Sequence, residues 1–177
     1  HRPNNPNRPV EKVSWADIQI FLARLNTLEA ANLPAGWTYV LPTESQWEYA
    51  CRAGTTTAFS WGDDINATHA NCNASGINQT RDVGQYAPNP WGFFDMHGNV
   101  REWCNDWYQA AYPTGNPVVD PTGATSGSIK VVRGGNFSEM GLRSALRHST
   151  SVPGHLGNGL GFRLAFRQVS EVEQNAT

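Results

Sequence analysis

The stretch Trp91-Gly92-Phe93-Phe94-Asp95-Met96-His97-Gly98-Asn99-Val100-Arg101-Glu102-Trp103 decides how the rest of the chain is read. Four aromatic residues and two glycines surround two carboxylates and an asparagine. Gly92 and Gly98 mark points where the backbone turns or passes close to another group. Beyond Gly98 the pattern alternates, with Val100, Glu102 and Cys104 on one face and Arg101 and Trp103 on the other. A carboxylate on the same face as a valine needs a partner, because burying an unpaired charge is costly. Two partners satisfy it. One is a hard cation such as calcium, bound by side-chain oxygens of Asp95 and Glu102 and by the carbonyls of Gly98 and Val100. The other is an arginine, which makes the stretch an ordinary twisted strand with Asp95 in a turn.

Working outward, two helices precede this stretch. Ser14 and Asp17 form a capping-box variant before Ile18, Phe21, Leu22, Leu25 and Leu28, whose spacing predicts a helix over 15–29 with that stripe in the core. Trp37, Tyr39 and Leu41 alternate as a short strand. Thr43 and Gln46 open a second helix over 43–53, with Trp47, Ala50 and Cys51 inward and Gly54 as its stop. Glu44 and Glu48 share a face of that helix; a carboxylate pair at this spacing more often meets solvent or an arginine than a substrate. Residues 55–89 are polar and turn-rich, so something other than a strand ladder must order them. After the central stretch come a Pro/Gly/Thr/Ser loop over 113–128, a strand running into Gly134-Gly135, and a closing strand over 161–166. Arg143, Arg147 and Arg163 read as forks onto carboxylates or carbonyls between loops. Residues 168–177 read as a flexible tail of a single 1–177 domain.

The totals agree with a loop-rich α+β domain. In 177 residues there are 7 Trp and 17 Gly, and only 16% are charged. The net charge of −2 gives no footing for nucleic acid. No run of 18 apolar residues is present, so no membrane-inserted helix is expected. Cys51, Cys72 and Cys104 are odd in number and lack metal-ligand spacing, which favours free buried thiols over a single disulfide. Sequons at Asn66, Asn73, Asn78, Asn136 and Asn175 are compatible with a secreted or periplasmic setting and equally with chance. His97, His148 and His155 show no H-x-H or H-x-x-H spacing, so no metal-redox centre is indicated.

The hexad Gly98-Asn99-Val100-Arg101-Glu102-Trp103 resembles the G-N-V/A-x-E-W hallmark of the sulfatase-modifying-factor family, the family of the formylglycine-generating enzyme. Four further blocks agree in order: residues 9–15, residues 41–50, Val132 to Phe137, and Gly161 to Arg163. The resemblance covers roughly residues 9–167. It implies a C-type-lectin-like fold, with two helices on a small twisted antiparallel sheet and long irregular loops, and a bacterial source. Relative to the family, the start at His1 lacks an N-terminal part.

For the site, the resemblance implies structural calcium at Asp95, Gly98, Val100 and Glu102, and a second metal to which Asn71 lends a ligand. The oxidation performed by the family's namesake uses two copper-binding cysteines shortly after the block that matches Gly134 to Phe137. Here that segment, Ser138 to Arg143, contains no cysteine, and copper needs soft thiolates. No copper and no formylglycine formation are therefore expected. Relatives with variable ligand-binding segments diversify this same region. The expectation is a non-catalytic, calcium-stabilised domain presenting Asn136, Phe137, Ser138, Glu139, His148 and His155, within 136–158, to a protein or small-molecule ligand. Two alternatives stand beside it: a cysteine-independent oxidoreductase, as among siderophore-tailoring relatives, and an accessory module of a larger enzyme.

Overall fold

The computed structural model describes residues 5–111 and 118–169. Helix α1 spans Trp15–Glu29 and α2 spans Glu44–Arg52; six short strands are β1 (Trp37–Val40), β2 (Arg101–Trp107), β3 (Lys130–Arg133), β4 (His148–Ser151), β5 (Leu160–Gly161) and β6 (Ala165–Gln168). Both helix starts are fixed by reciprocal capping boxes. Ser14 Oγ accepts from Asp17 N–H at 3.1 Å while Asp17 accepts from Ser14 N–H at 3.0 Å. Thr43 and Gln46 repeat the arrangement at 3.2 and 3.0 Å. The α2 exit differs from expectation: Ala53, not Gly54, is the first left-handed residue, at φ 47°, and Gly54 follows at φ 88°.

The strands form two sheets. β1 pairs antiparallel with β6, and β4-β3-β2-β5 form a four-stranded sheet. That sheet is mixed rather than purely antiparallel, because β5 runs parallel to β2 through Arg101↔Leu160 and Glu102↔Gly161. The loop from β4 to β5 is long enough to bring the chain back in either direction. Gln168 pairs with Trp37 and so belongs to β6; the rest of the expected tail, from 170 on, and residues 113–117 of the expected 113–128 loop lie outside the described residues.

Successive β3 residues face opposite ways, so the sheet carries core on both sides. Val132 packs with Ile18, Leu22, Leu41, Trp103 and Leu160, while Val131 packs with Trp47, Cys51, Met96 and Cys104. The α1 stripe is only partly core. Ile18 and Leu22 are buried, but Phe21 and Leu28 are 44% and 78% exposed, because α1 meets the sheet along a strip narrower than its apolar face. A third cluster of Phe59, Ala70, Cys72 and Leu142 anchors the long polar loop, where Trp61 stacks between Phe59 and His69.

Buried asparagines supply much of the remaining order. Asn99 accepts from Arg81 N–H at 2.9 Å and donates to Arg81 C=O at 3.2 Å. Asn89 donates to the carbonyls of Ala50 and Cys51 and accepts from the N–H groups of Trp91 and Phe93. These amides satisfy loop backbone that has no ladder to join.

Candidate functional site

Glu102 sits on β2 and is 4% exposed. Arg163 forks onto it, Nε to Oε2 at 2.5 Å and Nη2 to Oε1 at 2.7 Å, and Trp47 Nε1 donates to Oε2 at 2.6 Å. Three of the carboxylate's roughly four lone-pair positions are thus filled by protein donors. Asp95, at φ 55°, accepts from Gly84 N–H at 2.7 Å, and burial raises its pKa. Asp95, Val100, Glu102 and Arg163 line one cavity of about 440 Å³. Gly98 is not among its lining residues. Its backbone lies so close to Asn71 that a Cβ there would stand 2.4 Å from the Asn71 carbonyl oxygen.

The calcium expectation can be tested against this geometry. Two carboxylates and a carbonyl-bearing residue share one cavity, and the donors are all oxygen, which suits a hard cation. Glu102 would be shared between the cation and Arg163. Asn71, expected to serve a second metal, bridges loops in this structure: it donates to Gln79 C=O at 2.9 Å and Asn99 at 3.2 Å and accepts from Ser75 Oγ at 3.1 Å. Among the described residues, no three His, Cys, Asp or Glu side chains converge as a metal cluster.

The other candidate residues follow the Gly134-Gly135 corner. Asn136 is buried, with its Oδ1 turned onto Ser138 N–H and Oγ at 2.9 and 2.8 Å, which leaves Ser138 exposed. Phe137 is half-buried, and its ring closes over Gly159. Glu139 forms an ion pair with Arg101 and lies 3.4 Å from His148 Nε2. Burial raises the Glu139 pKa, whereas burial, with Arg101 and Arg133 nearby, pushes His148 down to about 4. Arg101 Nε and His148 Nε2 are closed off from solvent and have no hydrogen-bond partner of good geometry. His155 is exposed on the loop before β5. The structure therefore joins Glu139 and His148 and adds Arg101, which sequence reading had placed only as the residue opposite Glu102.

Several other charged side chains pair within the protein. Glu44 takes Arg147 at 2.5 and 2.7 Å, and Glu48 pairs with Arg52 and the fully buried Arg133. The expected forks are thus made by Arg147 and Arg163, while Arg143 is exposed. All three cysteines are free and buried. His97 Nδ1 lies 2.7 Å from Leu142 C=O, which places the proton on Nδ1 and leaves Nε2 to accept from the Cys51 thiol at 3.4 Å. Burial pushes Cys51 up to about 12 and His97 down to about 4, which favours the neutral thiol and imidazole over a reactive thiolate.

Two short helices on a mixed sheet, with long loops held by aromatic stacks and buried amides, define a fold of the formylglycine-generating-enzyme type. Treponema denticola variable protein 1 superposes with a TM-score of 0.80 at 28% identity, covering 95% of this chain and 76% of that one. The chain belongs to the sulfatase-modifying factor enzyme 1-like domain family, matched over residues 1–168. It is 33% identical to the formylglycine-generating enzyme of Streptomyces coelicolor over 179 residues, which cover 90% of this chain and 53% of the relative. It is also 37% identical to the serine/threonine-protein kinase pkn1 of Chlamydia pneumoniae over 130 residues, covering 71% of this chain and 20% of the kinase. The chain thus spans about half of one relative and a fifth of the other.

Proposed function

We propose that this is a non-catalytic, ligand-binding member of the family, with its working face on the 136–158 segment and calcium reinforcing the fold through Asp95, Gly98, Val100 and Glu102. The observation that carries the reading is the cluster of Arg101, Glu139 and His148. Where the resembled oxidase needs paired thiolates, this chain has a carboxylate held between a guanidinium and an imidazole, with polar atoms left without good partners. Unsatisfied groups of this kind are expensive to bury, and a ligand that reaches the cluster would complete them. Ser138 and His155 are exposed on the same 136–158 segment, where a side chain can change without disturbing the core.

Calcium bound at the Asp95–Glu102 cavity would lower the cost of gathering two carboxylates beside long polar loops. Its role in this reading is structural, and no chemical step runs through it. The accessory-module reading is favoured by one specific fact, the match to a fifth of a protein kinase. It is compatible with ligand binding, since a tethered domain can present its face to a partner.

The test is selection of a displayed peptide library on the folded domain, with binders then measured on the Glu139→Ala/His148→Ala variant. Selected peptides should lose at least tenfold in affinity on the variant, measured at a temperature where its circular dichroism shows it folded. Undiminished binding to a folded variant would remove the cluster from the ligand face.

A further inference from the structure

A second cleft, formed by α1, β1, the start of α2 and the 120–122 turn, shares no residue with the Arg101–Glu139–His148 cluster. Its volume is about 530 Å³, inside the roughly 300–1,000 Å³ range of small-ligand sites. Leu22 and Leu41 belong to its lining and are themselves core residues, so the cleft rests on a rigid base. Gln19, Gln46, Asn105, Thr38 and Thr122 surround them with neutral hydrogen-bonding groups. Gln19 Nε2 is buried and has no partner. Gln46 uses its Oε1 on Thr43 N–H, which leaves its amide nitrogen for another acceptor. Asp120 lines the same cleft in the left-handed region at φ 41°, a conformation aspartate adopts more readily than most residues.

We propose that this cleft is a binding site for a neutral saccharide. Three ligand classes compete for such a lining, and its chemistry separates them. A charged ligand finds no net countercharge, because the one carboxylate, Asp120, is balanced by the one guanidinium, Arg167. An apolar ligand would cover the exposed Gln46 amide nitrogen and the threonine hydroxyls without pairing them, at a cost of about 1–3 kcal/mol for each group left unpaired. A polyhydroxylated neutral ligand supplies both donors and acceptors. Its hydroxyls can meet amide N–H, amide C=O and threonine hydroxyl groups, while its C–H faces lie over Leu22 and Leu41. The volume suits a short oligosaccharide.

The experiment uses the whole chain with three named probes, maltotriose, cellotriose and chitotriose. Binding is followed by saturation-transfer difference and by the side-chain amide resonances of Gln19, Gln46 and Asn105 in ¹⁵N spectra. At least one sugar should bind saturably and shift the Gln19 side-chain amide, and Gln19→Leu should weaken that sugar at least tenfold with an unchanged melting temperature. The amide shifts are read on the unmodified protein, so the test stands even if the variant folds poorly. Absence of saturable binding by all three sugars would overturn the proposal. So would shifts that spare these three amides, or undiminished binding by folded Gln19→Leu.

Discussion

Glu102 concentrates the residue-scale argument, because one buried carboxylate answers to an arginine, an indole and the proposed calcium. Removing one member of a buried pair leaves the other uncompensated, which costs about 3–5 kcal/mol. Glu102→Gln should therefore lower stability by roughly that amount in urea unfolding, with or without calcium, since Arg163 loses its partner either way. The substitution consequently says little about calcium; chelation does. A chelator should lower the melting temperature of the unmodified protein, calcium should restore it, and magnesium should restore it poorly because it demands tighter octahedral geometry. A melt unchanged by chelator would leave Arg163 as the sole cation serving Glu102.

Two histidines make a second prediction at the same scale. His97 and His148 are both held near a pKa of about 4 by burial, while in the unfolded chain they titrate near 6.5. Because the folded values are depressed, the unfolded state binds more protons between these limits. The histidines' contribution is fully present above pH 6.5 and is lost as pH falls toward about 4. The melting temperature should decline across that window, and His148→Gln should flatten part of the decline. A pH profile identical for parent and variant would show that His148 is not the group responsible.

At the scale of elements, the loops are ordered by side chains that take the place of ladders. Asn99 shows this best: its φ of 64° is one asparagine tolerates, and its amide closes both backbone groups of Arg81. Asn99→Gly keeps the conformation accessible but deletes the amide, so it isolates the bridging role. A loss of about 2–3 kcal/mol is expected, from one or two backbone groups left unpaired. A near-neutral Asn99→Gly would mean that water replaces the bridge.

The helices were legible in the sequence because Ser14/Asp17 and Thr43/Gln46 are local signals acting over three residues. The extent of the α1 core stripe was not, since Phe21 and Leu28 carry the right spacing yet lie beyond the strip that meets the sheet. The parallel entry of β5 was equally hidden, because a two-residue strand at the end of a long loop has no periodicity of its own. Glu102 was legible as a residue needing a partner. Which arginine supplies it depends on a contact spanning 61 positions. The Arg101–Glu139–His148 cluster is likewise assembled from three separate segments, so spacing alone gives no sign of it.

At the scale of the whole molecule, the proposed function separates family membership from the namesake's chemistry. The chain belongs to the sulfatase-modifying factor enzyme 1-like domain family, and it spans about half of one formylglycine-generating relative. Its own three thiols are buried in two different core clusters, and none follows the Gly134-Gly135 corner. In the proposed reading the charged cluster at that corner holds a ligand; it contains no soft donor pair for copper. The most direct measurement is incubation of the protein with a Cys-x-Pro-x-Arg peptide, copper and reductant, with the peptide read by mass. A binding domain leaves the cysteine unchanged at the level of a protein-free blank. Conversion to formylglycine above that blank would contradict the account.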